Sequence, residues 1–162
     1  MKRLIASALV ALMLVSCGSS KIVRQATRTF KGDWNLTTIT YPGSYGTFDV
    51  TLLGEASAEC FEGSSWKFVP NNDTGTYTIN DVACSQETGF FKWFVDEVDA
   101  STGNYDFLLK PTDERYKSDD TNTGYRISLM TLTENDMVWE QTVSLDGKPF
   151  KIRWNFIKSI QQ

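Results

Sequence analysis

Histidine is absent from all 162 residues. Its absence removes the commonest general base at neutral pH, the usual nitrogen ligand of metals, and every nucleophile activated by an imidazole. No Cys-x-x-Cys spacing occurs among the three cysteines, which argues against a thiol redox centre or a thiolate zinc site. A basic excess is missing too: 16 Lys and Arg face 20 Asp and Glu, and no basic patch stands out, so nucleic acid is not the expected partner. Carboxylates are plentiful enough for a glycosidase-type pair, but no spacing singles out two of them. The expectation is a protein that is not an enzyme, with no cofactor and no metal.

Apolar runs long enough to span a bilayer are also lacking. The run Leu4–Val15 is about a dozen residues, short of the roughly 20 that a spanning helix needs. Lys2 and Arg3 precede it and small Ser16 closes it, the arrangement of a secretory signal. Leu14-Val15-Ser16-Cys17 resembles the lipobox of bacterial lipoproteins. That resemblance implies cleavage before Cys17, diacylation of its thiol and acylation of the new amino terminus; several acyl chains together anchor firmly. Gly18 stands where lipoproteins held at the inner membrane often carry Asp, and no acidic run follows. The resemblance thus implies an outer-membrane anchor facing the periplasm.

The mature chain, from Cys17, keeps 14 basic and all 20 acidic residues and is long enough for one domain with a sizeable core. With Cys17 used for lipid, Cys60 and Cys84 remain as an even pair in an oxidising compartment. A bridge between them would close a loop of about 25 residues and contribute roughly 3 kcal/mol. Two buried free thiols are the other possibility.

Residues 17–31 are polar and basic and read as a lipidated tether, with one helical turn near its end. Residues 32–158 form the domain. From Gly32 onward, short runs rich in Thr, Tyr, Phe, Val and Trp alternate with turn residues. The runs are 34–41, 48–58, 66–69, 75–80, 90–98, 105–110, 125–132, 137–143 and 150–157, with a polar loop or short helix over 111–122. Connections this short join antiparallel neighbours, because a parallel crossover needs a dozen residues or more. The fold class is therefore all-β: an antiparallel up-and-down barrel of about eight or nine strands, closed because closure removes exposed edges.

Gly32-Asp33-Trp34 at the head of the first strand resembles the Gly-x-Trp signature of lipocalins. The segments 60–66 and 71–77 are similar to small bacterial lipocalin-like lipoproteins. In that family the tryptophan lies inside the closed end of the barrel, under a basic residue from the last strand; Arg153 is the match to that partner. The family also carries a helix outside the barrel after its last main strands. The chain stops four residues after Lys158, so the expectation is that this helix is missing and that the wall beneath it lies open to solvent or to a partner.

A barrel of about eight strands either fills with side chains or holds one small ligand. The 21 aromatic residues are a heavy load. Phe91, Trp93 and Val95 share one face of their run, with Phe90 and Phe94 on the other; Phe150, Ile152, Trp154 and Phe156 form an apolar face opposite Lys151, Arg153 and Asn155. The resemblance implies a small hydrophobic or amphipathic ligand, for which Phe91, Trp93, Tyr125, Ile127 and Trp154 are the candidate lining. The alternative is a filled barrel whose outer wall docks an envelope protein, with the two-sided aromatics at Phe90 and Phe94 as the hint.

Overall fold

The computed structural model describes residues 21–99, 104–118 and 123–159. The expected signal segment, Cys17, residues 100–103 and residues 119–122 lie outside the described residues. In chain order the elements are α1 (Lys21–Phe30), β1 (Gly32–Thr40), β2 (Thr51–Leu52), β3 (Ala56–Ser57), α2 (Ala58–Phe61), β4 (Ser65–Val69) and β5 (Thr74–Thr78). They continue with β6 (Thr88–Asp99), β7 (Asn104–Thr112), β8 (Tyr125–Leu132), β9 (Asp136–Leu145) and β10 (Lys148–Lys158).

Eight strands close into an antiparallel barrel in the order β1-β10-β9-β8-β7-β6-β5-β4, with β1 bonded to both β10 and β4. The period-2 alternation of each strand decides what goes inside. In β10 the even positions Phe150, Ile152, Trp154 and Phe156 are buried while Lys151 and Ile157 are exposed. In β6 Phe91, Trp93 and Val95 are buried while Lys92 and Phe94 are exposed.

The run 48–58 is not a ninth barrel strand. Leu53 (φ 55°) and Gly54 (φ 74°) take the left-handed region, so the chain reverses after two residues and forms a small β2-β3 ribbon. Leu52, Leu53, Ala58 and Phe61 are all buried, and with α2 the ribbon seals one end of the barrel. There the Tyr77 hydroxyl donates to the Glu55 carboxylate. Burial, with Glu87 adding to it, raises the pKa of Glu55 above the usual carboxylate value.

The other end is closed by α1, where a single helical turn was expected. Val23, Ala26 and Phe30 recur at helical spacing and point at the barrel; Phe30 is fully buried, 5.0 Å from the rings of Trp93 and Phe107 and 5.2 Å from Phe68. Gly32 then takes φ +111° to turn helix into strand, a backbone that L side chains rarely adopt.

The basic partner of Trp34 is Lys158, which corrects the expectation of Arg153. Trp34 pairs with Lys158 across β1 and β10, whereas Arg153 pairs with Thr40 at the far end of the same ladder. The Lys158 Nζ sits 4.7 Å over the Trp34 ring and donates to the Thr29 carbonyl at 3.0 Å. The Trp34 indole donates to the Phe30 carbonyl at 2.8 Å, tying helix, first strand and last strand together. Arg153, an odd position of β10, faces outward and binds Glu140 through Nη2 at 2.6 Å.

Lys151 reaches the same carboxylate at 2.9 Å, and the hydrogen bond from Lys151 leads in holding the Glu140 pKa below its ordinary value, with Arg153 adding to it. A carboxylate whose folded pKa is lowered stabilises the fold above the unfolded pKa, roughly 4.3, and loses that contribution as pH falls to the folded value. We therefore expect Glu140→Gln to cost about 1 kcal/mol at neutral pH, since both cations are half in solvent. The variant should converge with the parent in acid. Urea titrations at neutral and acidic pH check this; a difference that persists unchanged in acid would contradict it.

The disulfide joins Cys60 to Cys84. It straps α2, at the sealed end, to the connection between β5 and β6.

Candidate functional site

The interior of the barrel is a stack of rings that meet across its axis. Trp66 of β4 lies 5.5 Å from Trp139 of β9, 5.7 Å from Phe156 of β10 and 5.6 Å from Phe91 of β6. Trp139 in turn lies 4.5 Å from Phe156 and 4.7 Å from Phe107. These separations are those of packed aromatic pairs, leaving the axis filled. Of the candidate lining residues, Phe91, Ile127 and Trp154 are completely buried in this stack. The indole N–H groups of Trp139 and Trp154, buried partners across β9 and β10, make no hydrogen bond among the described residues.

Trp93 is buried in the core as well, its ring 5.0 Å from Phe30 and 5.8 Å from Phe107, but it and Tyr125 also border a second place. Together with Asp73, Lys92, Phe94, Leu108, Leu109, Lys110, Gly124 and Arg126 they line a groove of about 680 Å³ on the wall made by β6, β7 and β8. Its volume is in the range of small-molecule sites.

Strand register builds the groove row by row. Phe94 pairs with Leu108, and Leu108 with Arg126, giving one outward row with an apolar centre. Phe94 is 53 % exposed although nothing in its strand requires an aromatic ring in water. Two residues toward one strand end, Lys92 faces Lys110, a cationic row. Two residues the other way, Asp96 faces Asp106, and Arg126 bonds both, at 3.2 Å and 2.8 Å. Those bonds raise the Arg126 pKa further, the Asp106 hydrogen bond first. The groove thus has an apolar floor, a cationic edge, and an acidic edge whose charge Arg126 partly offsets.

Phe90, which shares the outer face of β6 with Phe94, is treated differently. Its ring meets Tyr116 edge-on at 5.9 Å and is half-buried. Leu108 and the lysine row carried no signal in the sequence alone. They join Phe94 only through the β6–β7 register, and a bulge between Glu97 and Asp99 shifts that register near the turn. Among the described residues no cluster of three His, Cys, Asp or Glu is placed to hold a metal ion.

No curated protein matches the sequence. A family profile described as a lipocalin-like domain matches residues 30–139, from the ring that plugs the barrel to the central tryptophan of β9. Matched over most of its length and folded as a closed eight-stranded antiparallel barrel, the chain belongs to the lipocalin-like domain family.

Proposed function

We propose that this chain is a lipoprotein, anchored through Cys17 in the outer membrane and facing the periplasm, that binds a small amphipathic ligand on its barrel wall. Lipocalin-like proteins generally bind small hydrophobic molecules, which supports a binding role over catalysis. The observation that carries the reading is the groove over β6–β8, where Phe94 and Leu108 offer an apolar floor next to Lys92 and Lys110. An acyl or aryl body would cover Phe94 and an anionic head would meet the lysine row. With the barrel axis occupied by its own rings, this groove offers suitable size and chemistry among the described residues.

The test is titration of the unacylated mature protein with a fluorescent long-chain fatty acid. Phe94→Glu puts a charge on the apolar floor and opposes the anionic head; affinity should fall at least about 10-fold, the equivalent of roughly 1.4 kcal/mol. Phe94 is exposed, so the substitution leaves the core intact. Unchanged affinity would remove the groove from the reading. The competing reading, docking of an envelope protein on the filled barrel, uses the same exposed Phe94. A photo-crosslinker at position 94 that traps one protein in cells, from a preparation retaining no lipid, would replace the ligand by that partner.

A further inference from the structure

The helix that closes the barrel has a second face. Lys21, Arg24 and Arg28 recur at spacings of three and four along α1, and Lys31 follows three residues on, so the four cations form one stripe. All four are exposed, and the helix carries no acidic residue in its first turn. Val23, Ala26 and Phe30 occupy the opposite side, against the barrel. Ile22, on the flank of the helix that faces β8, is 47 % exposed.

This concentration runs against the rest of the molecule. Segment 21–31 holds four basic residues and no acid, while the remainder of the mature chain holds 10 basic against 20 acidic. On balance of charge, a negatively charged surface is therefore repelled by the remainder taken together and attracted by the end closed by α1. Chain length points the same way. Only residues 18–20 separate Lys21 from Cys17, so the helix starts within about 14 Å of that cysteine however the connection runs.

We propose that the cationic face of α1 is a docking surface for an anionic phospholipid bilayer, holding the barrel with its α1 end down and its ribbon end away from the membrane. The occupant follows from charge complementarity and from proximity to Cys17, and in the second respect the proposal rests on the reading of Cys17 as the anchor. Basic residues near an anionic surface each contribute about 1 kcal/mol, an effect that fades within a Debye length.

The experiment uses the whole mature chain with Cys17→Ser, exported through a general secretion signal, so that no acyl chain contributes. Binding is measured by co-sedimentation with phosphatidylcholine vesicles with and without phosphatidylglycerol. The expected result is partition onto the anionic vesicles only, falling steeply with added salt, and weakened roughly 100-fold by combined Lys21→Gln, Arg24→Gln and Arg28→Gln. Glutamine is a good helix former and none of the three sites is buried, so folding is retained. A control with Lys67→Gln, Lys117→Gln and Lys148→Gln removes the same charge elsewhere and should bind as the parent does. No binding by the unacylated parent, equal binding to uncharged vesicles, or an equal loss in the control each overturns the proposal. Labelling of the native protein with radioactive palmitate reports on Cys17 by itself, so an unlabelled protein that still binds anionic vesicles would fail the anchor and keep the surface.

Discussion

Gly75→Ala should destabilise the barrel by about 3 kcal/mol, lowering its melting temperature by roughly 10 °C. Gly75 of β5 sits directly across from Phe91 of β6, and Gly89 of β6 directly across from Tyr77 of β5. At each pair the ring lies over the glycine where a Cβ would stand, in the space that the missing side chain leaves. At Gly75 the new methyl would also approach the Lys67 carbonyl oxygen to 2.7 Å, an atom of a neighbouring strand that cannot swing aside. Phe91 has no room to retreat, being 5.4 Å from Phe68 and 5.6 Å from Trp66. The reciprocal Gly/aromatic pairs are thus what lets β5 and β6 approach with two large rings packed inside the barrel. Thermal unfolding followed by circular dichroism checks the expectation. A Gly75→Ala protein melting within a degree or two of the parent would show that the rings can repack.

Loss of the disulfide should cost a comparable amount, about 3 kcal/mol for a closed loop of this length. The bridge between Cys60 and Cys84 holds α2, whose Phe61 is fully buried, to the segment between β5 and β6. In that segment only a few bonds fix the backbone, among them Ile79 N–H to Glu87 O at 3.2 Å and Cys84 N–H to Asp81 O at 3.2 Å. Without the bridge, the ribbon end should open before the barrel does. The double variant Cys60→Ala with Cys84→Ala should therefore show a lower urea midpoint and faster protease cleavage within 80–87. Equal midpoints for oxidised parent and double variant would mean that the surrounding packing already holds this end.

Much of the barrel was legible because strands announce themselves by alternation. Phe150, Ile152, Trp154 and Phe156 against Lys151, Arg153 and Asn155 define an inside and an outside without any knowledge of the partner strands. The same alternation already excluded Arg153 from the Trp34 site: as an odd position of β10 it had to face outward, and Lys158 continues the inward row. The resemblance to lipocalins supplied the idea of a basic partner, and the parity of the strand decides which residue it is. The run 48–58 misled for a different reason. Its β-forming composition is genuine, but Leu53 adopts a left-handed backbone that its side chain gives no hint of. The helical cap was within reach, since Val23, Ala26 and Phe30 sit at helical spacing. Its basic residues hid it, because a cationic face and a solvated tether look alike until the apolar face has somewhere to go.

The candidate site was the least legible part. Phe91, Trp93, Tyr125, Ile127 and Trp154 were singled out as aromatic or apolar residues on one strand face, which is also the description of a core. Whether inward rings leave a cavity depends on distances across the axis, and those follow from strand tilt and closure rather than from any local pattern. Phe94 was recognisable as an apolar residue on the wrong face, but Leu108 and the lysine row reach it only through pairing.

The central claim is that ligand binds on the wall formed by β6, β7 and β8 while the barrel axis stays filled by its own rings. Its most direct test is a ¹H–¹⁵N correlation spectrum of the unacylated mature protein titrated with a long-chain fatty acid. The account predicts that the backbone amides of Phe94, Leu108 and Arg126 shift in a saturable way while the indole N–H signals of Trp139 and Trp154 stay where they are. Shifts of the Trp139 and Trp154 indoles, with the β6–β8 amides unmoved, would place the ligand inside the barrel and contradict it.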